Sequence, residues 1–373
     1  MIATLPWDIE QLLPAPAMYP APAFREEGTE AIFYEGLPYR GKSTRVFAWF
    51  GVPERSERVP GMVLVHGGGG TAFAEWVRLW NARGYAAIAM DVCGSVPTGE
   101  YGNWQRHDAG GPVGWEAGFV QIDEPIADQW PYHAVGTIML ANALLRAQPG
   151  VDPARIGLTG ISWGGYLTCL TAGVDDRFRF AAPVYGCGFL GEDSFWLPDF
   201  ARMGAERAGR WLAQWDPSAH LPRAAMPMLW ITGTNDFAYP MGSLQKSYRL
   251  PAGPRTLCLP VNMIHDHSFT REGSAELHAF AEHLFNGGAP LATVTGQDIA
   301  GCEARVTFTA AVPIVKAEFN YTCDNGPWQE RRWTIMKAEL DDRWAKAPVP
   351  VGITACYFNL LDEHGLMVSS EHI

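Results

Sequence analysis

The sequence predicts an α/β protein in which a mostly parallel, doubly wound sheet is followed by a small C-terminal β-sandwich. Three observations carry this. Short, almost wholly apolar runs recur along the larger part of the chain: Gly61-Met-Val-Leu-Val-His66, Tyr85-Ala-Ala-Ile-Ala-Met-Asp91, Arg155-Ile-Gly-Leu-Thr-Gly160, Phe180-Ala-Ala-Pro-Val-Tyr185 and Met228-Leu-Trp-Ile-Thr. Such runs are what strands buried on both faces require. Segments with apolar residues at helical spacing lie between them, the pattern of parallel crossover units. From Thr293 onward apolar and polar residues alternate, in Arg305-Val-Thr-Phe-Thr-Ala, Lys316-Ala-Glu-Phe-Asn-Tyr-Thr, Arg331-Arg-Trp-Thr-Ile-Met-Lys-Ala and Thr354-Ala-Cys-Tyr-Phe-Asn-Leu, and no helical segment intervenes, which predicts antiparallel strands.

The chain has 373 residues, of which 47% are hydrophobic and 18% charged. That is enough for one large core and a smaller unit beside it. With 28 basic and 40 acidic side chains the formal charge is −12, which repels nucleic acid and anionic membrane surfaces and favours a neutral or cationic partner. No apolar run is long enough to span a bilayer, and Met1-Ile-Ala-Thr-Leu-Pro-Trp-Asp lacks the basic start and apolar core of a signal peptide. A cytoplasmic protein is expected, or a secreted one where a leader has been removed; a homo-oligomer is compatible with the sequence. The seven cysteines show no Cys-x-x-Cys spacing, so they are expected to be reduced core residues and neither disulfides nor zinc ligands.

Taken in order, residues 1–25 are rich in proline and alanine and predict an extended arm. Ala31 to Tyr39 and Thr44 to Pro53, joined by Arg40-Gly-Lys-Ser, predict two antiparallel strands at the entry edge of the sheet. Gly61 to His66 is a buried strand that stops at Gly67-Gly-Gly-Gly70. A helix from Ala72 to Arg83, closed by Gly84, leads to the strand Tyr85 to Asp91. Residues 93–129 form a long irregular region with Trp104 and Trp115, and Trp130 follows. These tryptophans either line a cleft or pack the loop down. His107-Asp108 and Asp123-Glu124 are read as hydrogen-bonding or solvated loop groups. A helix from Pro131 to Arg146, with proline tolerated in its first turn, precedes the strand that starts at Arg155. Residues 186–227, with Phe195, Trp196, Trp211 and Trp215, predict helices over the C-terminal edge of the sheet, in the place of a lid. Ser274 to Phe285 predicts the closing helix, ended by Asn286-Gly-Gly.

The chemistry centres on Gly160-Ile-Ser162-Trp-Gly164, where an apolar strand runs into a helix. In such a turn the serine takes a strained backbone conformation, and small residues two before and two after it let strand and helix approach. The hydroxyl then stands at the positive end of the helix, where developing negative charge is stabilised. The run His66-Gly-Gly-Gly carries neither the Lys-Ser/Thr pair nor the Gly-x-Gly-x-x-Gly helix start that a phosphate loop needs. It matches instead a loop that supplies half of an oxyanion hole, from Gly68 or Gly69, the other half being the N–H of Trp163. His66 precedes the serine and is read as a structural hydrogen-bonding group. Met228-Leu-Trp-Ile-Thr-Gly-Thr-Asn-Asp236 and Arg255-Thr-Leu-Cys-Leu-Pro-Val-Asn-Met-Ile-His265-Asp-His267 each end a buried strand with a polar side chain. Ser162, Asp236 and His265 or His267 thus fall in the order serine, acid, histidine, each just past the C-terminal end of its own strand. A metal site on His265-Asp-His267 lacks a third ligand.

With these residues the chain resembles the α/β-hydrolase superfamily, over residues 30–288. Arg155-Ile-Gly-Leu-Thr-Gly-Ile-Ser-Trp-Gly-Gly-Tyr and Asp216-Pro-Ser-Ala-His-Leu look most like the branch that holds dienelactone hydrolases, acetyl xylan esterases and prolyl oligopeptidases. The resemblance implies an α/β-hydrolase catalytic domain over residues 26–290, and the alternating runs beyond it predict a β-sandwich domain over residues 291–373. It also implies a serine carboxylic-ester hydrolase without metal or organic cofactor, acting on a small-molecule or carbohydrate ester. Oligopeptidases of this branch carry a large N-terminal propeller, for which the sixty residues or so before the first buried strand leave no room, and dienelactone hydrolases use cysteine where Ser162 stands. A serine peptidase and a non-catalytic binding protein are the competing classes. For the base, His267-Ser-Phe resembles the His-Gly-Phe of lipolytic relatives, whereas the loop length after Leu-Cys-Leu-Pro-Val261 in the esterase and oligopeptidase relatives lands on His265, the residue assigned.

Overall fold

The computed structural model describes residues 5–266 and 274–373. In chain order the first elements are α1 (Ile9–Leu12), β1 (Met18–Pro20), β2 (Glu30–Tyr39), β3 (Lys42–Gly51), β4 (Val59–Val65), α2 (Ala74–Ala82), β5 (Ala86–Met90), β6 (Ser95–Glu100), β7 (Asn103–Arg106) and α3 (Trp130–Arg146). They continue with β8 (Val151–Ile161), α4 (Trp163–Ala172), β9 (Phe180–Val184), α5 (Leu197–Met203), α6 (Ala205–Trp215), β10 (Met228–Ile231), α7 (Met241–Tyr248), β11 (Arg255–Cys258) and α8 (Ala275–Asn286). Nine of the strands form one sheet in the order β1-β2-β3-β5-β4-β8-β9-β10-β11. Pairing is parallel from β5 through β11 and antiparallel at the β1-β2-β3-β5 end.

The apolar runs are apolar at every position because both faces of this sheet are covered. Side chains of a strand alternate between faces, and the core divides accordingly. Val63 and Val65 of β4, Ile88 and Met90 of β5 and Trp230 of β10 point to one side, where they meet α3 and α4. Met62 and Leu64, Ala87 and Ala89, and Leu229 and Ile231 point to the other, where they meet α2 and α8. α3 is buried along almost its whole length: it packs on the sheet, on α1 and on α4, and a helix covered all round has no use for a polar stripe.

Three expectations are corrected. The N-terminal stretch is not an extended arm throughout. It contains a helical turn and an edge strand paired with β2, because Trp7 is buried: its Nε1 donates to Tyr132 O at 2.8 Å, its ring stacks on Tyr132 at 5.8 Å, and its edge meets Trp215 at 5.7 Å. The region after Cys93 is less irregular than its glycines imply, with the hairpin β6–β7 followed by a 3-10 segment over Trp115–Asp123. Cys302 and Cys323 are exposed, while Cys93, Cys169, Cys187, Cys258 and Cys356 lie in the core.

The C-terminal part holds β12 (Thr293–Ala300), β13 (Glu303–Thr309), β14 (Ile314–Thr322), β15 (Thr334–Lys337), β16 (Glu339–Leu340), β17 (Trp344–Pro348), β18 (Ala355–Asp362) and β19 (Met367–Ser369). They form two four-stranded sheets, β12-β13-β17-β16 and β15-β14-β18-β19, antiparallel throughout. Val306, Phe308, Phe319, Phe358 and Leu360 form a core shared by the two, as in a sandwich. β13, β14, β15 and β18 were legible as alternating runs. β12, β16, β17 and β19 were not: β16 and β19 are too short to show a period, and β12 is almost wholly exposed. This part docks on the far edge of the main sheet, where Tyr357 Oη donates to Leu259 O at 2.7 Å and Leu259 N donates to Ser369 Oγ at 2.8 Å.

Candidate active site

Ser162 sits between β8 and α4 with φ 54° and ψ −120°, a left-handed φ that costs a non-glycine residue on the order of 1–3 kcal/mol. The surroundings enforce it. Ser162 N donates to Val184 O at 3.0 Å, and Tyr166 N donates to Ser162 O at 2.9 Å. The glycines are needed for approach: a Cβ on Gly160 would lie 2.5 Å from Gly164 O, and one on Gly164 would lie 2.1 Å from Val65 O. The strain therefore holds a half-buried hydroxyl at the start of α4, where the first N–H groups of the helix have no partner within it.

The loop after β4 is held from outside. Tyr101 Oη donates to Gly68 O at 2.6 Å, Trp104 Nε1 to Gly69 O at 2.8 Å and Gly102 N to Gly69 O at 2.8 Å, so the β6–β7 hairpin occupies the carbonyls. Among the described residues the N–H groups of Gly68 and Gly69 make no hydrogen bond. They remain available as donors beside that of Trp163. Trp104 thus serves the loop, and Trp130, fully buried with its Nε1 on Val92 O at 2.8 Å, serves the core. His66 is structural, as its position before the serine implies. Its Nε2 accepts from Val92 N at 3.1 Å, so the proton sits on Nδ1 and is shared with Gly67 O at 3.0 Å. Burial lowers its pKa to about 4 and keeps it neutral.

Asp236 and His265 are brought into contact: His265 Nδ1 lies 2.7 Å from Asp236 Oδ2. The carboxylate is buried, and its other oxygen accepts from Ala238 N at 2.9 Å and Tyr239 N at 2.7 Å. That leaves it one orientation. The imidazole lies against two aromatic rings, Tyr185 at 4.2 Å and Phe237 at 4.8 Å between centroids. Tyr185 also donates through Oη to Asp266 O, and burial raises its pKa so that the phenol stays protonated. Ser162 is linked to this pair through the end of β9, since its N–H binds Val184, the neighbour of Tyr185; no hydrogen bond joins Ser162 and His265. His267 lies outside the described residues.

Other loop carboxylates are ordinary ion pairs: Asp123 with Arg207 and Arg210, and Glu124 with Arg40. The residues that sequence reasoning passed over are the aromatic supports Tyr185, Phe237 and Tyr239, the asparagine before the acid, and Glu116. Tyr185 and Asn235 were findable as neighbours of strand ends that carry the motif. Asn235 Nδ2 donates to the carbonyls of Gln329 at 3.1 Å and Arg331 at 2.7 Å, tying the acid loop to the C-terminal sheets.

A parallel sheet with a strained serine at the β8–α4 turn, and an acid and a histidine on later strands, defines an α/β-hydrolase. The comparisons agree. The acetyl xylan esterase (AXE1) family matches residues 28–194 and the prolyl oligopeptidase family matches residues 124–285. Acetyl xylan esterases from a Paenibacillus and a Thermoanaerobacterium species superpose with TM-scores of 0.57 and 0.54, at 21% and 17% identity. They cover 71% and 70% of this chain and 87% and 89% of theirs. The acylaminoacyl peptidase of Pyrococcus horikoshii superposes with a TM-score of 0.52 at 20% identity, over 70% of this chain and 43% of its own. The uncharacterized peptidase YuxL of Bacillus subtilis is 30% identical over 128 residues, 33% of this chain, and the match spans only 16% of YuxL. The chain thus has the α/β-hydrolase fold and is similar to the acetyl xylan esterase and prolyl oligopeptidase families over the two overlapping segments that they match. Among the described residues no helix is long and apolar enough to cross a membrane.

Proposed function

We propose that the protein is a serine carboxylic-ester hydrolase that uses Ser162 as nucleophile, His265 as base and Asp236 to orient the imidazole. The observation that carries this is the 2.7 Å contact of His265 Nδ1 with a carboxylate already fixed by two backbone N–H groups, on the chain that holds Ser162 in a strained elbow. Nδ1 then carries the proton, and Nε2 is the basic nitrogen. Nε2 takes the Ser162 proton as Oγ attacks the ester carbonyl. The oxyanion is received by the N–H of Trp163 and of Gly68 or Gly69, each donor being worth about 10²-fold or more in rate. Nε2 returns the proton to the leaving alcohol, and water, activated by the same nitrogen, releases the acid. The absence of a Ser162–His265 hydrogen bond is compatible with this, because such bonds often tighten only with substrate bound.

The extent of the acetyl xylan esterase matches supports small acyl groups on a carbohydrate alcohol as the substrate class. A second reading, a serine peptidase, is supported by the oligopeptidase match over residues 124–285. One experiment separates them: acyl esters graded by chain length, run beside amino-acid anilides, with a serine-directed phosphonate as control. Phosphonate-sensitive turnover of short-chain esters, with anilides slower by orders of magnitude, is the expected result. Faster anilide cleavage overturns the esterase reading, and no turnover of either class overturns the hydrolase reading.

A further inference from the structure

Glu116 is a carboxylate beside Trp163 that the proposed mechanism does not use. Its Oε1 accepts from two indoles at once, Trp163 Nε1 at 3.1 Å and Trp196 Nε1 at 2.6 Å. Trp163 follows the nucleophile directly, and its ring lies against the oxyanion loop: a Cβ on Gly68 would be 2.8 Å from Trp163 Cδ1. The carboxylate is therefore one indole away from where an oxyanion would develop. Among the described residues its second oxygen accepts no hydrogen bond, and no Lys, Arg or His lies within ion-pair distance. The group is only partly exposed.

Two indole donors need only a neutral acceptor, which a glutamine would provide. A carboxylate adds a negative charge beside a site meant to accumulate another, and that repulsion raises the barrier. A cation bound on Glu116 removes the repulsion. The surroundings are aromatic, with Trp163, Trp196 and Tyr239 buried beneath a more exposed pair of phenylalanines. Trp163 and Trp196 stand 4.6 Å apart between centroids, and aromatic faces attract ammonium groups. Phe195 packs on Trp196 and on Phe237, which itself covers His265, and both phenylalanines are about half exposed at 55% and 50%. Tyr239 packs on Trp196 at 5.0 Å and lies parallel to His265; its hydroxyl is buried and makes no hydrogen bond among the described residues. A carboxylate with a free oxygen, an unpartnered phenol and an exposed aromatic rim thus converge on one side of the site.

We propose that Glu116 is a specificity-determining residue that receives a positively charged group of the substrate, so that the enzyme prefers esters bearing an ammonium group near the scissile carbonyl. This rests on the hydrolase reading above. The ammonium can belong to the alcohol or to the acyl half, and two matched pairs separate these. Acetylcholine against its uncharged isostere 3,3-dimethylbutyl acetate places it on the alcohol; p-nitrophenyl 4-aminobutanoate against p-nitrophenyl pentanoate places it on the acyl group. The quantity read is the ratio of kcat/KM, cationic over neutral, in wild type and in Glu116→Gln, which keeps an acceptor for both indoles. Glu116→Met serves if the glutamine variant does not fold, and Glu10→Gln, at an exposed position of α1, controls for the overall negative charge. The expected result is a wild-type ratio of about ten or more in at least one pair, falling toward one in the Glu116 variant and retained in Glu10→Gln. Wild-type ratios near one in both pairs overturn the proposal alone. So does a Glu116 variant that slows both members equally, which would make the carboxylate a mere brace for Trp163. No turnover of any ester overturns the hydrolase reading and this inference with it.

Discussion

On the side of the proposed nucleophile, Ser162 is held by its immediate neighbours in sequence and by the ends of the adjoining strands: Gly160 and Gly164 make the close approach, and Val65 and Val184 supply the contacts. On the acid and histidine side the supports come from far along the chain. Asn235, beside Asp236, is bound to carbonyls more than ninety residues away in the connection between β14 and β15, and Thr234 Oγ1 accepts from Asn262 N at 3.0 Å while donating to Asn235 Oδ1 at 2.7 Å. One half of the site is thus built into a motif and the other is assembled by docking. The nucleophile should survive disturbance of the C-terminal sheets, whereas the acid and histidine loops should not.

The comparison can be broken most directly at the reacting groups. Replacing Ser162 or His265 by alanine is expected to lower kcat on a small ester by about 10⁴-fold or more with the fold retained by circular dichroism. If His267→Ala loses as much while His265→Ala keeps most of the rate, the base is two residues further on. Asp236→Asn should cost about 10³- to 10⁴-fold, because an amide in place of the carboxylate favours the wrong imidazole tautomer and leaves a developing imidazolium uncompensated. A loss below tenfold would remove Asp236 from the mechanism. Asn235→Ala sharpens the contrast: loosening the acid loop should lower kcat about ten- to a hundredfold with a smaller change in KM. An unchanged kcat would show that the C-terminal sheets do not position the acid.

The smallest expected effect concerns pH and stability. Burial holds His66 near 4, while an unfolded histidine titrates near 6.5. The unfolded chain therefore takes up this proton first, so stability is complete above about pH 6.5, falls as the pH drops toward 4 and levels off below it. His278 and His372, also pushed down to about 4 by burial, add to the same window. In His66→Asn the slope of stability against pH between 4 and 6.5, measured by urea unfolding, should be shallower by up to one proton. An identical slope would mean that His66 is charged in the folded protein.

Where local chemistry dictates conformation, the amino-acid sequence was a sufficient guide. The strands from Gly61, Tyr85, Arg155, Phe180 and Met228 were visible because a strand covered on both faces can carry only apolar residues. The elbow at Ser162 was visible because its backbone tolerates only small residues at two fixed positions. The order of serine, acid and histidine followed from the strand ends. Four of the eight C-terminal strands escaped notice, since β16 and β19 are too short for a period and β12 lies exposed. The burial of Trp7, which turns the presumed arm into part of the core, depends on Tyr132 and Trp215, partners more than a hundred residues away.

What the sequence by itself determined is the layered sheet, the strained turn and the kinds of side chain delivered to its C-terminal edge, because each is set by periodicity or by sterics within a few residues. Only the tertiary structure decided which histidine nitrogen faces Asp236, that Tyr101 and Trp104 hold the glycine loop, that Asn235 anchors the acid loop to the C-terminal sheets, and that Glu116 stands on the indole of Trp163. Those contacts join residues from about thirty to almost a hundred positions apart, and a hydrogen bond or ring contact between distant residues leaves no periodic mark on either segment that makes it.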